Sequence, residues 1–164
     1  MKITLLLSLL LMAALFIMLY GAVALVQRKW LFKTAPQDIQ EAALEHEERF
    51  PGARLLGWII IAVSLFMFGF AFWYAGCDGL KNDFSFMMFF KRFLTMLYLL
   101  KAFDIIGFDY FLLCKTHFFQ RYYPETEGCK GYHDFGFNRV GQTIRIIIFP
   151  FVSLFLAFIC MRFK

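Results

Sequence analysis

Residues 3–26 read ITLLLSLLLMAALFIMLYGAVALV, 24 residues without one charged side chain. A helix that crosses a bilayer needs about 20 apolar residues at a rise of about 1.5 Å each. Lys2 before this stretch and Ala22-Val23-Ala24 near its end also have the form of a cleaved signal peptide. The apolar core of such a peptide is only about 7–15 residues long. We therefore predict that 3–26 is retained as a membrane-spanning helix.

The composition of the whole chain agrees with this interpretation. Of the 164 residues, 61% are apolar, 18% are charged and 24 are Phe. A soluble domain is about 45–50% apolar and about 25% charged, and one of this size cannot bury so much apolar surface. Disordered chains are poor in aromatic residues, and 4 Cys are too few for a disulfide-stapled scaffold. Of these classes, only an integral membrane protein is consistent with the composition.

Three further segments approach the length of a span. Residues 55–75 carry no charge, whereas 93–114 contain Lys101, Asp104 and Asp109. Residues 143–162 reach span length if Arg145 snorkels to the interface. The predicted fold is all-α: one four-span polytopic membrane domain over 1–164, with long loops at 27–54 and 115–142.

Basic residues set the expected orientation. The 27–54 loop and the 115–145 segment together contain ten Lys and Arg, and the opposite side of the membrane has six. Cytoplasmic loops are enriched in these residues. We therefore expect a cell-membrane protein with cytoplasmic long loops and both termini outside. Anionic lipid headgroups account for the net charge of +5, so no nucleic acid is needed as a partner.

The first loop contains a predicted amphipathic cytoplasmic helix. Thr34 caps its start, it runs to about Phe50, and Pro51-Gly52 ends it. Within this helix Glu45 can pair with Arg49, because residues four apart are neighbours on a helix surface.

Part of the second half resembles a group of known sequences. Asp104, Asp109 and Cys114, followed by Tyr123-Pro124-Glu125-Thr126-Glu127, look like a group of small uncharacterised multi-pass bacterial membrane proteins. Those proteins have a Pro-Gly-Thr-Glu form, and this chain has Glu125 in place of the Gly. The resemblance covers about a fifth of the chain and implies a bacterial cytoplasmic membrane, with no activity attached.

The third predicted span carries the strongest polar signal. At about 100° per residue, its polar side chains fall within an arc of about 140°. They are Tyr98, Lys101, Asp104 and Asp109. A charge at the bilayer centre costs about 2.5–3.5 kcal/mol, so partners are expected. Lys101 and Asp104 can pair three residues apart, and Arg145 is the predicted partner of Asp109. This stripe is either a buried ion pair that fixes helix register or a proton or solute pathway.

The cysteines suggest two further sites. Cys114, His117, Cys129 and His133 provide two thiolates and two imidazoles, a ligand set suited to tetrahedral Zn²⁺, although free thiols and interfacial histidines are the alternative. No other cofactor is expected. Cys77 and Cys160 fall on the same predicted side and can form a disulfide if they lie close together.

Three classes of function follow from these features. The first is a non-enzymatic component or modulator of a membrane complex, with the lipid bilayer and either a homo-oligomer or another membrane protein as partners. The second is a small oligomeric transporter or proton-coupled unit that uses the charged stripe. The third is a zinc-binding membrane enzyme. No nucleophile elbow, HExxH, phosphate-loop or dinucleotide motif occurs, so no catalytic residue is predicted.

Overall fold

Helices form nearly all of the regular structure. The computed structural model describes residues 2–29 and 35–164. The helices are α1 (Lys2–Tyr20), α2 (Gln37–Ala42), α3 (Ala53–Lys81), α4 (Phe86–Phe103) and α5 (Arg139–Arg162). α1 continues as a π-helix over Gly21–Val26, and α4 continues as a π-helix over Asp104–Lys115, called the π segment below. Short 3₁₀ turns cover Pro124–Thr126 and Lys130–His133, and no strand occurs in the two described ranges.

Three of the helices are long and apolar enough to cross a membrane. They are α1 with its π-helical extension, α3 and α5. The predicted third span, 93–114, lies within α4 and the π segment and is not among them, because charged side chains interrupt its apolar sequence. By length and composition, the described chain therefore has three candidate spans rather than the predicted four.

The helices form one bundle with two distinct ends. α1 packs against α3 and α4, and α4 packs along α5. At one end, the Lys164 amine donates to the Phe84 carbonyl oxygen over 3.3 Å, and Thr4 lines the same cavity as Phe84. Both termini therefore lie beside the α3–α4 turn. The two long loops pack against each other at the opposite end of the bundle.

Close packing of α1 on α3 depends on small residues. Every buried residue of α3 is small: Ala53, Gly57, Ser64, Ala71, Ala75, Gly76 and Gly79. Small side chains allow helix backbones to approach closely, which is how helices associate in a membrane. At the tightest point, a Cβ added to Gly57 would lie 2.6 Å from Val26 Cγ2 and 3.1 Å from the Gly21 carbonyl oxygen.

The first loop differs from the prediction. The expected helix to Phe50 ends at Ala42, because Ala43 adopts an extended conformation with ψ 130. The backbone N–H of Leu44 then donates to the Glu125 carboxylate over 2.9 Å, 81 residues away. The Leu44 N–H thus bonds to a distant side chain instead of to a carbonyl oxygen of a further helical turn. The predicted Thr34 cap lies outside the described residues.

Residues 35–54 and 116–138 form a small folded layer, called the cap below. Its core joins side chains of both loops to the ends of α1 and the π segment. Ile39, Ala43 and Tyr123 are fully buried there. At the end of α1, Gln27 adopts a left-handed conformation, and its side-chain amide donates to the Tyr122 carbonyl oxygen over 3.3 Å. The cap therefore packs on the bundle and is hydrogen-bonded to the end of α1.

We expect Gly57→Leu to destabilise the protein, because the added side chain collides with Val26 and the Gly21 backbone. Overpacking typically costs about 1–3 kcal/mol, so the melting temperature in detergent should fall. Gly69→Leu is the matched control on the same helix, since a Cβ at Gly69 meets nothing within 4 Å. Equal melting temperatures for the two variants would contradict the close α1–α3 contact.

Candidate functional site

Lys101 and Asp104 contact each other directly. The Lys101 Nζ lies 2.5 Å from Asp104 Oδ2, at the junction of α4 and the π segment. The Lys101 side chain is buried and that of Asp104 is partly buried. Burying a lone charge is costly, whereas a hydrogen-bonded pair offsets much of the penalty. The two charges that the sequence pattern placed three residues apart thus share one contact inside the bundle.

Asp109 has a different partner from the one expected. The Gln142 side-chain amide, in the first turn of α5, donates to Asp109 Oδ2 over 2.5 Å. Arg145 is exposed and lines a 610 Å³ cavity beside the cap. This contact links the π segment to α5 through a neutral amide. The ion pairs found among the described residues do not include Arg145, and its role as a partner of Asp109 stays a prediction.

The π-helical backbone changes the angular position of Asp109. The angular argument assumes 100° per residue, which holds for an α-helix. From Asp104 onward the chain is π-helical, with hydrogen bonds that span five residues instead of four. Each residue then turns through a smaller angle, so Asp109 no longer falls where the α-helical wheel places it.

Tyr98 also contacts α5 rather than the other polar residues of its own helix. Its hydroxyl donates to the Ile146 carbonyl oxygen over 3.4 Å, and its ring lies 6.1 Å from that of Phe149. The four predicted polar residues therefore make three contacts, and a pathway along them stays a prediction.

A second buried ion pair was not predicted from the sequence. Arg92 Nη1 lies 2.7 Å from Asp78 Oδ2 and donates to the Ala75 carbonyl oxygen over 2.8 Å. The guanidinium also lies 4.2 Å from the centre of the Phe84 ring. The signal that the sequence analysis missed is Asp78, an acid in the last turn of α3, which lies across the short turn at 82–85 from Arg92.

The predicted zinc ligands are not gathered into a site. Within residues 2–29 and 35–164, no group of three or more His, Cys, Asp and Glu side chains is arranged to hold a metal ion. Instead, His117 contacts the Gln120 side chain, and Cys129 Sγ lies 3.8 Å from the Asp38 carbonyl oxygen. Burial and the Asp38 carboxylate raise the pKa of the Cys129 thiol, which disfavours the thiolate that zinc binds.

Cys77 and Cys160 line the same apolar cavity of 490 Å³ between α3, α4 and α5. Both are free thiols in this structure. The bundle brings the two residues to one place, and their disulfide stays a prediction.

The cap contains a polar cluster that joins the two loops. His46 Nε2 lies 2.9 Å and 3.2 Å from the two carboxylate oxygens of Glu125, and Arg54 donates to the His46 carbonyl oxygen over 2.5 Å. Burial opposes ionisation of Glu125, but hydrogen bonds from the Leu44 N–H, its own N–H and His46 outweigh it. The pKa of Glu125 is therefore lower than usual.

Tyr123, Thr126 and Tyr132 lie next to this cluster. The Tyr123 ring packs edge-on against His46 with a centroid distance of 5.4 Å. Thr126 Oγ1 lies 2.6 Å from the Tyr132 hydroxyl and donates to the Tyr123 carbonyl oxygen over 2.7 Å. Burial, with Glu125 and Glu45 nearby, raises the pKa of Tyr123. The Thr126 hydroxyl thus connects Tyr123 and Tyr132 within the second loop, next to Glu125.

Comparison with protein-family models, with curated proteins and with solved structures gives no match to this chain. The arguments about function therefore rest on the residues and contacts described above.

The lowered pKa of Glu125 predicts a cap that loosens in acid. A carboxyl whose pKa is lower in the folded state stabilises the fold at pH values above the pKa of the unfolded carboxyl, which is about 4.3 for Glu. That stabilisation disappears as the pH falls through the folded pKa. Glu125→Gln should remove about 1–3 kcal/mol at neutral pH, the cost of losing a charged acceptor, and flatten the stability profile below about pH 5.

Hydrogen exchange of the Leu44 amide, followed against pH, measures this loosening. Glu127→Gln is the matched control, because Glu127 is exposed and lies two residues away. A Glu125→Gln protein with the wild-type pH profile would show that this carboxylate does not hold the cap.

Proposed function

We propose that this chain is a four-span protein of the cell membrane and acts as a non-enzymatic component or modulator of a membrane complex. The observation that carries the proposal is the pairing of Arg92 and Lys101, the buried cations among the described residues, with carboxylates of the same chain. Cations that are neutralised inside the bundle fix helix register and are poorly available for chemistry on a substrate.

The fourth crossing is supported by where α4 begins and ends. The helix starts after the turn at 82–85, beside both termini, and its π segment ends in the core of the cap. A chain that connects the two ends of the bundle must run along its full length. The two ion pairs and the Gln142 contact lower the cost of carrying charges through an apolar layer.

The proposed partners are the lipid bilayer and another membrane protein or a second copy of this chain. α3 and α5 leave many large apolar side chains uncovered, including Phe66, Trp73, Phe151 and Phe155. Such surface requires either lipid or an apolar protein partner.

The orientation is proposed from charge. Both basic loops belong to one end of the bundle, so the comparison of ten basic residues with six compares two physical ends of the molecule. The positive-inside rule then puts the cap in the cytoplasm and both termini outside.

Single-cysteine variants in a cysteine-free background test this topology in intact cells. Positions 40 and 125 should be protected from an impermeant thiol reagent, and position 82 should react, because the two groups belong to opposite ends of the bundle. Labelling at 40 and 125 with protection at 82 would reverse the orientation. Labelling of 40 and 125 on different sides would exclude four crossings.

A small proton-coupled transporter is the second candidate, and one contact favours it. Asp109 is held by the neutral amide of Gln142, whose Oε1 is buried without a hydrogen-bond partner among the described residues. A carboxyl in an apolar bundle whose hydrogen-bond partner is neutral can exchange a proton at lower cost than one that is paired with a cation.

Variants of the two contacts separate the candidates. Lys101→Met or Asp104→Asn alone leaves a lone buried charge and should cost about 3–5 kcal/mol, whereas the double variant should recover most of this loss. If the protein is a structural component, the stable double variant and Asp109→Asn should both restore growth of a deletion strain. If it moves protons, Asp109→Asn should fold, with an unchanged melting temperature in detergent, and fail to restore growth.

A further inference from the structure

A 750 Å³ cavity opens where the cap meets α1 and the π segment. Its apolar wall comes from the bundle, through Phe16 of α1 and Leu112 of the π segment. Its polar wall comes from the cap, through Arg49, His117 and Arg121. One side of this cavity, called the interfacial cavity below, is therefore built from membrane helices and the other from cationic or ionisable side chains.

The polar wall is positive, and no carboxylate among the described residues pairs with its two arginines. The described lining of the interfacial cavity contains no Asp or Glu. Glu45, which the sequence pattern paired with Arg49, instead contacts Arg28 Nη1 over 2.8 Å. The ion pairs found among the described residues include neither Arg49 nor Arg121. Two guanidinium groups thus face one space without a counter-ion.

The Arg49 side chain contacts an aromatic ring that is itself packed against other rings. The Arg49 guanidinium lies 5.5 Å from the centre of the Tyr122 ring. That ring packs edge-on against Tyr20 of α1 at 6.4 Å and lies 5.4 Å from the Phe118 ring. A guanidinium over an aromatic face keeps its hydrogen-bond donors free for another ligand, and arginine binds phosphate through two parallel bonds.

We propose that the interfacial cavity binds the phosphate headgroup of an anionic phospholipid, with Arg49 and Arg121 as ligands. The required chemistry, a phosphate oxyanion, also occurs in soluble phosphate esters. The apolar wall selects the lipid, because Phe16 and Leu112 line the cavity on its bundle side, where an acyl chain can pack and a soluble ester gains nothing. Basic pockets beside membrane helices bind lipid headgroups by the same combination of charge and apolar surface.

Lipid titrations of the purified full-length chain in a mild detergent test this proposal. Phosphatidylglycerol should raise the melting temperature at lower concentration than phosphatidylcholine, and glycerol phosphate should have no effect. Arg49→Gln/Arg121→Gln should weaken phosphatidylglycerol binding roughly 30-fold, which corresponds to about 2 kcal/mol for two basic side chains. Arg49→Lys/Arg121→Lys should recover only part of the affinity, because the charges remain but the paired hydrogen bonds of the guanidinium groups are lost.

The matched control removes the same charge elsewhere. Lys81→Gln/Arg162→Gln changes two exposed basic residues near the opposite end of the bundle and should leave phosphatidylglycerol binding unchanged. An equal loss in this control would overturn the site, since binding would then follow net charge alone. An equal response to glycerol phosphate would overturn the lipid assignment. If the Arg→Gln pair fails to fold, the phosphatidylglycerol affinity of the wild-type protein is measured at increasing NaCl concentration. An affinity that does not depend on NaCl would exclude ionic recognition.

Discussion

A charged side chain inside an apolar bundle must find its partner within the protein, and the arrangement of this molecule depends on that constraint. α4 and the π segment carry buried cations and partly buried carboxylates between three strongly apolar helices. Arg92 contacts Asp78 on α3, Lys101 contacts Asp104 within its own chain segment, and Asp109 contacts Gln142 on α5. These contacts connect α4 to α3 and the π segment to α5 through polar groups.

The remaining packing is consistent with this arrangement. Because α3 buries only small residues, its backbone lies close to α1, and its large side chains are left on the outer surface. Lipid tails are as apolar as the side chains, so helices in a membrane gain no hydrophobic free energy by associating. Close backbone contact stabilises them through van der Waals packing instead. The inner face of α3 thus carries small residues, and its outer surface carries large side chains such as Phe66 and Trp73.

The cap adds a polar surface to an otherwise apolar molecule. Glu125 accepts hydrogen bonds from the Leu44 backbone and lies against the His46 ring, so one carboxylate holds the two loops together. Because α2 stops at Ala42, Glu45 lies beside Arg28 and Arg49 lies over Tyr122. The positive wall of the interfacial cavity is therefore a consequence of the shortened helix, and the proposed lipid site depends on how the cap folds.

The sequence by itself determined the apolar spans, the predominance of helix and the Lys101–Asp104 contact, because each depends on residues close together in the chain. Uncharged runs of span length predict α1 and α3, and a spacing of three residues brings two side chains to one helix face. Only the tertiary structure decided the partner of Asp109, the pairing of Arg92 with Asp78 and the early end of α2. Those features depend on acceptors and donors far along the chain, and on a π-helical backbone that changes the angle between successive side chains. A local pattern contains no information about such distant partners, and a buried polar group takes whichever partner the fold brings within hydrogen-bond distance.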